Sequence, residues 1–190
     1  MQRFICLTLI GLFATQLHAE ETKSTHEQHG AHEHGVATLA IAVSKDGAEI
    51  VLESPAANLV GFEHTARTDA EKQKLLAATQ TLQAGDKLFT LSPDAGCKLD
   101  NAAISSNVEG DNAKDHEAKA DHDHEAGESH SDIDATWSYS CSKPEALSNI
   151  GVQLFSAFPN GFKQLNAEWV TDQGASAKAL TADGTLNLQP

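Results

Sequence analysis

From Asn107 to Asp134 this chain offers almost no large apolar side chain. Asp, Glu, His, Ala, Gly and Ser fill the stretch, and such a segment cannot bury enough surface to offset the entropy of ordering it. It predicts a flexible loop, over about residues 108–132, set into a folded domain whose core comes from sequence on both sides. Cys97 and Cys141 flank it. The third cysteine, Cys6, lies in an N-terminal leader, so in an oxidising compartment the remaining two are most simply a disulfide. A closed loop of this length is worth roughly 4 kcal/mol by the chain-entropy argument. The expected arrangement is an antiparallel strand pair with the insert at its tip and the cystine near its base.

The leader sets the compartment. Met1-Gln2-Arg3 is a short positive end, Phe4 to Ala14 an apolar core, and Ala19 a small residue at a cleavage position, which together read as a signal peptide over 1–19. The apolar run is too short to cross a bilayer as a helix, and Cys6 falls inside it, so neither membrane insertion nor a lipid anchor is expected. Export to the periplasm is. Residues 20–190 then suffice for one domain, or two small halves sharing a core. Acidic residues outnumber basic ones 27 to 13, which argues against nucleic acid and anionic membrane as partners.

Strand signals come first. VATLAIAV (36–43) alternates, with Ala37, Leu39, Ile41 and Val43 on one face. Lys45-Asp46-Gly47 supplies an Asp-Gly turn, and Ile50 and Leu52 continue the apolar face beyond it, which predicts a β-hairpin ended by Pro55. Residues 54–64 read as an irregular connector. Thr68 with Glu71 three residues on is a capping box for a helix to about Gln83, with a stripe of Leu75, Leu76, Thr79 and Leu82 and a stop at Gly85. Further strands are expected at 87–91, after Cys97, at 135–141, 150–154 and 164–171, with 177–188 closing the sheet. FSAFPNGF (155–162) reads as a helical turn broken by Pro159. The fold class is α+β, with an antiparallel or mixed β-sheet, one substantial helix and a long His/Asp/Glu-rich loop.

Histidine carries the chemistry. HEQHGAHEHG places His26, His29, His32 and His34 within nine residues, at the end of a histidine-rich segment spanning 20–34. The insert adds His116, His122, His124 and His130 among carboxylates. Neutral imidazole is the commonest borderline metal ligand, and carboxylate oxygen completes such sites. With the cysteines paired and Met1 the lone methionine, no soft ligand remains for Cu(I). In extended backbone His32 and His34 point to one side about 7 Å apart, so both imidazoles can converge on one ion. His64, in GFEH, lies on a connector able to return to the same end of the sheet. A set of His32, His34 and His64 leaves a fourth position for Glu63, water or another histidine. Taken by itself, His64 reads rather as a structural or merely exposed histidine, and it is the neighbouring HEHG that makes it a ligand candidate. His26 and His29 sit near a new N-terminus, where mobility is the rule. The insert reads as several weak sites, DHDHE (121–125) being its densest run, against the alternative of a solvated acidic linker.

HEHGVATLAIAV followed by SPAANLVGFEHTARTDAE resembles the ZrgA family of periplasmic zinc-binding proteins, as do the central histidine-acid loop and the late FPNGFKQLNAEWVT stretch. The resemblance covers essentially all of the mature chain, and HEHG and GFEH are its most specific parts. It implies a periplasmic protein that binds zinc, supports zinc acquisition and catalyses nothing.

The residues agree with a binding module over an enzyme. HEQH and HEH lack the HExxH spacing, no GxSxG elbow or glycine-rich phosphate loop occurs, and no general base is identifiable. Three roles compete: delivering Zn2+ to a zinc ABC transporter or its solute-binding protein, as a metallochaperone does; buffering Zn2+; or handling nickel or copper. Cu(II) outcompetes zinc for most such sites, yet a mature chain beginning Glu20-Glu21-Thr22 lacks the third-position histidine of the tight amino-terminal Cu(II) site. A structural or adhesive protein using metal only for stability is the remaining alternative.

Overall fold

The computed structural model describes residues 33–108 and 131–189. In chain order these form β1 (Val36–Ser44), β2 (Gly47–Pro55), α1 (Ala56–Val60), α2 (Asp69–Gln83), α3 (Gly85–Leu88), β3 (Phe89–Leu91) and β4 (Cys97–Ser106). After the insert come β5 (Asp132–Cys141), β6 (Asn149–Val152), α4 (Leu154–Ala157), β7 (Gln164–Thr171), β8 (Gly174–Leu180) and β9 (Gly184–Asn187). Single 3-10 turns follow β3 and β5, at Pro93–Ala95 and Pro144–Ala146. The fold is α+β. A mixed six-stranded sheet has the order β4-β5-β2-β1-β7-β8, and a three-stranded sheet the order β3-β6-β9.

The β1–β2 hairpin forms as the alternation requires, burying Ala37, Leu39, Ile41, Ile50 and Leu52. Its turn is shifted by one residue from expectation: Ser44 pairs with Gly47, leaving Lys45-Asp46 as the two turn residues. Gly47 is instead the first strand residue, at φ 153°, where a Cβ would lie 1.9 Å from the Tyr139 carbonyl oxygen of the neighbouring strand. Only glycine fits there.

β4 and β5 pair antiparallel with Cys97 opposite Cys141, and the two cysteines are bonded. β5 buries Ile133, Ala135, Trp137 and Tyr139 from alternate positions, and β7 does the same with Leu165, Ala167 and Trp169. These side chains share one core with Leu75, Ala78 and Leu82 of α2 and with Phe89, Ile150, Val152 and Leu186 of the smaller sheet. Each large side chain fully buried there contributes about 1.5–3 kcal/mol of transfer free energy. Trp137 is the pivot of this core: its indole N–H donates to the Leu82 carbonyl at 2.7 Å, and its ring meets Phe89 edge-on at 4.8 Å.

Four expectations need correction. The connector at 54–64 is not irregular throughout, since it contains the short helix α1. Leu76 is 56% exposed, because burial at positions 75, 78 and 82 puts the helix face one position away from it. Residues 85–88 are a helical turn rather than the start of a strand. Leu88 and Phe89 are both buried, a consecutive pair that a half-exposed strand cannot bury and a helix-to-strand junction can. The C-terminal segment 177–188 is two strands in different sheets, since β8 pairs with β7 and β9 with β6.

The register gathers six strand ends together. β1 runs antiparallel to β2 and parallel to β7, β2 antiparallel to β5, β5 antiparallel to β4, and β7 antiparallel to β8. The starts of β1, β5 and β7 and the ends of β2, β4 and β8 therefore lie at one end of the sheet, with the cystine at the other.

Candidate metal site

Every described histidine, and both attachment points of the insert, belong to that end. His34 sits on the turn entering β1, which closes with Val36 N–H donating to the Glu33 carbonyl at 2.9 Å. Gly35 takes φ 93°, a left-handed conformation that favours glycine. Its carbonyl accepts the backbone N–H groups of Lys163 and Gln164, at 2.7 and 3.0 Å. Its own N–H donates to Asn58 Oδ1 at 2.6 Å, while Asn58 Nδ2 donates to the Val36 carbonyl at 2.9 Å and to Ser54 Oγ at 3.2 Å. Asn58, buried on α1, thus takes up backbone groups around Gly35 and fixes the path that presents His34.

α1 exists because Pro55 ends β2 and Gly61, at φ 83°, closes the helix in a left-handed cap, with its N–H on the Ala57 carbonyl. The chain then turns through Phe62-Glu63-His64. Glu63, 14% exposed, meets the exposed His34 ring at 2.8 Å between Oε1 and Nε2. The His64 ring stacks on Phe62 with centroids 5.0 Å apart. Its Nδ1 lies 3.0 Å from the Thr65 carbonyl. A carbonyl only accepts, so Nδ1 carries the proton in the neutral ring, and the lone pair is on Nε2. Nε2 in turn lies 3.6 Å from Glu71 Oε1. Two ligand atoms on one tetrahedral zinc are roughly 3.4 Å apart, from Zn–N and Zn–O bonds of about 2.0–2.2 Å.

Glu71 is held by the helix it begins. Its Oε2 accepts the backbone N–H groups of Thr68 and Arg67 at 2.8 and 2.9 Å, while Thr68 Oγ1 accepts the Glu71 N–H. This is the expected capping box, and it leaves Oε1 turned to His64. Those two backbone donors, Thr68 first, lower its pKa to about 2, with the His64 ring adding to the effect. The carboxylate therefore stays charged wherever imidazole is neutral enough to bind metal.

The insert joins the same end. Val108 accepts the Ala66 N–H at 3.0 Å, and Ser131 accepts the Ala56 N–H at 2.8 Å.

The two described candidates, His34 and His64, form two separate His–carboxylate pairs. Among the described residues no group of three or more His, Cys, Asp or Glu side chains is close enough to hold a metal ion. Expected ligands His26, His29, His32, His116, His122, His124 and His130 lie outside the described residues. Sequence reasoning missed Asn58 and the contact between Glu71 and His64. The first had a signal, a lone amide side chain in the apolar run AANLV. The second had a partial one, since a capping box uses one carboxylate oxygen and leaves the other free to face elsewhere.

No helix among the described residues is long and apolar enough to cross a membrane. No curated protein matches the sequence significantly. Residues 31–187 match the ZrgA family zinc uptake protein description, a span taking in β1 to β9, HEHG, GFEH and the insert, and the chain belongs to that family.

Proposed function

We propose that this is a periplasmic zinc-binding protein that supports zinc uptake by capturing Zn2+ at the insert end of its sheet. It passes the ion to a zinc ABC transporter or its solute-binding protein, or buffers it. It is a binding module and catalyses no reaction. His32, His34 and His64 form the ordered site, Glu63 and Glu71 supply carboxylate beside it, and His116, His122, His124 and His130 add weaker sites. His26 and His29 extend the same supply from the N-terminal segment.

The observation that carries this reading is the convergence at one end of the sheet. His34 and His64, far apart in sequence, are each oriented by a carboxylate or a carbonyl there, and the insert leaves and returns beside them. A ligating histidine commonly has its second ring nitrogen hydrogen-bonded, which fixes the tautomer. His64 has that arrangement with Nε2 left for metal. Zn2+ entering at His34 takes Nδ1 directly, or Nε2 once Glu63 moves from hydrogen bond to ligand.

The test is a zinc titration of three proteins. His34→Ala with His64→Ala should remove the tight phase and leave the weak one. Deletion of residues 111–130 should do the reverse, lowering stoichiometry and keeping the tight phase. A double variant that retains its tight phase refutes the ordered site.

A further inference from the structure

The face of the six-stranded sheet turned away from the core is divided. Outward positions on β5 and β4 carry Asp134, Thr136, Ser138, Ser140, Asn101 and Ser105, as a solvated antiparallel face should. Across β2, β1, β7 and β8 the same face stays polar at the histidine end, with Thr38, Glu53, Gln164 and Asn166, and changes character towards the cystine end. Ala40 and Ala42 of β1, with Ala175 and Ala177 of β8, floor a shallow groove of about 560 Å3. Val170, 50% exposed, stands along it and is one of the large apolar side chains most open to solvent among the described residues.

Two carboxylates line this groove. Glu49 lies across from Ala42, and Glu168 across from Ala40 and Ala177. Among the described residues neither has a hydrogen bond or an ion pair. Two strand spacings and one step of two residues set them about 12 Å apart.

We propose that this half-face docks an amphipathic helix of a different protein, one presenting small aliphatic side chains and two basic residues about two turns apart. The methyl floor lets a helix backbone approach closely. A separation of about 12 Å is that of positions i and i+7 or i+8 on one helix face. Charge selects against a second copy of this chain: with a net charge of −14, it would set carboxylate against carboxylate across the contact. The surface lies on the broad face of the sheet, apart from the histidine end, so docking and metal capture can occur together.

The test is site-specific photocrosslinking of the full chain in the cells that produce it. A photoreactive residue replaces Ala42, with the same residue at Ser138 on the polar half as control. The crosslinked partner peptide, sequenced by mass spectrometry, should be helical in character with lysine or arginine two turns apart. Glu49→Lys with Glu168→Lys should cut the yield about tenfold or more, since it turns two attractions into repulsions. Glu49→Gln with Glu168→Gln, which keeps the shape of the face, should give an intermediate yield. Both variants should retain the wild-type melting temperature and zinc titration. A crosslink to a second copy, to the chain's own termini, or to a partner whose yield ignores both variants overturns the proposal, as does a yield at Ala42 no higher than at Ser138.

Discussion

Asn58 does the work of a strand partner on the side of β1 where pairing with β2 has ended, and His34 is presented by the backbone it holds. Its amide matches one donor and one acceptor of the chain around Gly35, an arrangement that a carboxylate or an aliphatic residue cannot reproduce. Asn58→Ala leaves the Gly35 N–H without its partner in a buried setting and should cost about 1–3 kcal/mol in chemical denaturation. An unchanged unfolding midpoint would show that water replaces the amide freely. Glu71 makes a second residue-scale prediction. Its pKa falls from 4.5 to about 2 in the folded protein, so the stability its cap lends α2 is complete above about pH 4.5 and lost as pH falls through 2. Followed by NMR, the Glu71 carboxyl should titrate well below the ordinary glutamate value of 4.5, and Thr68→Ala should bring it back towards that value. A Glu71 that titrates at the ordinary value would contradict the cap.

Elements were legible in proportion to how fully their own residues decide them. The β1–β2 hairpin, β5 and β7 alternate strictly, and their buried sets are those the sequence implies. The capping box of α2 is a local motif and formed as such. α3 was not legible, because Gly85 looks like a helix stop and in fact packs where a Cβ would meet the Trp137 indole at 2.6 Å, a constraint from a strand far away in sequence. β8 and β9 are not separable in the sequence, because their separation depends on which sheet each joins. Of the site, the histidines were legible as residue types and Glu63 as a carboxylate beside them, whereas the Glu71 that faces His64 was decided by the α2 cap. The insert makes the element-scale prediction. Asn107 and Asp132 are hydrogen-bonded across its base at 3.4 Å, so the strand pair closes without it. Deleting residues 111–130, which spares the buried Ser131, should leave the melting temperature of the metal-free protein within a few degrees, the shift expected for less than about 1 kcal/mol. A large loss would mean that the insert holds the fold.

At the scale of the molecule, the sheet separates three features. One end carries the cystine, the other the described histidines and the base of the insert, and an alanine-floored groove with two carboxylates lies on the outer face towards the cystine end. A rigid sheet end lets an ordered site form with little chain left to immobilise, whereas a long polar segment must lose conformational freedom to wrap an ion. The ordered histidines should therefore bind first. Acidification should release zinc as imidazole protonates, because ligation requires the neutral ring. The most direct measurement is the long-range proton–nitrogen NMR spectrum of the imidazoles as one equivalent of Zn2+ is added to the full mature protein. His34 and His64 should shift first, and His64 should keep its proton on Nδ1 while Nε2 takes the metal. If His116, His122, His124 and His130 shift first while His64 stays unchanged, zinc is captured by the insert and the sheet end is only its support.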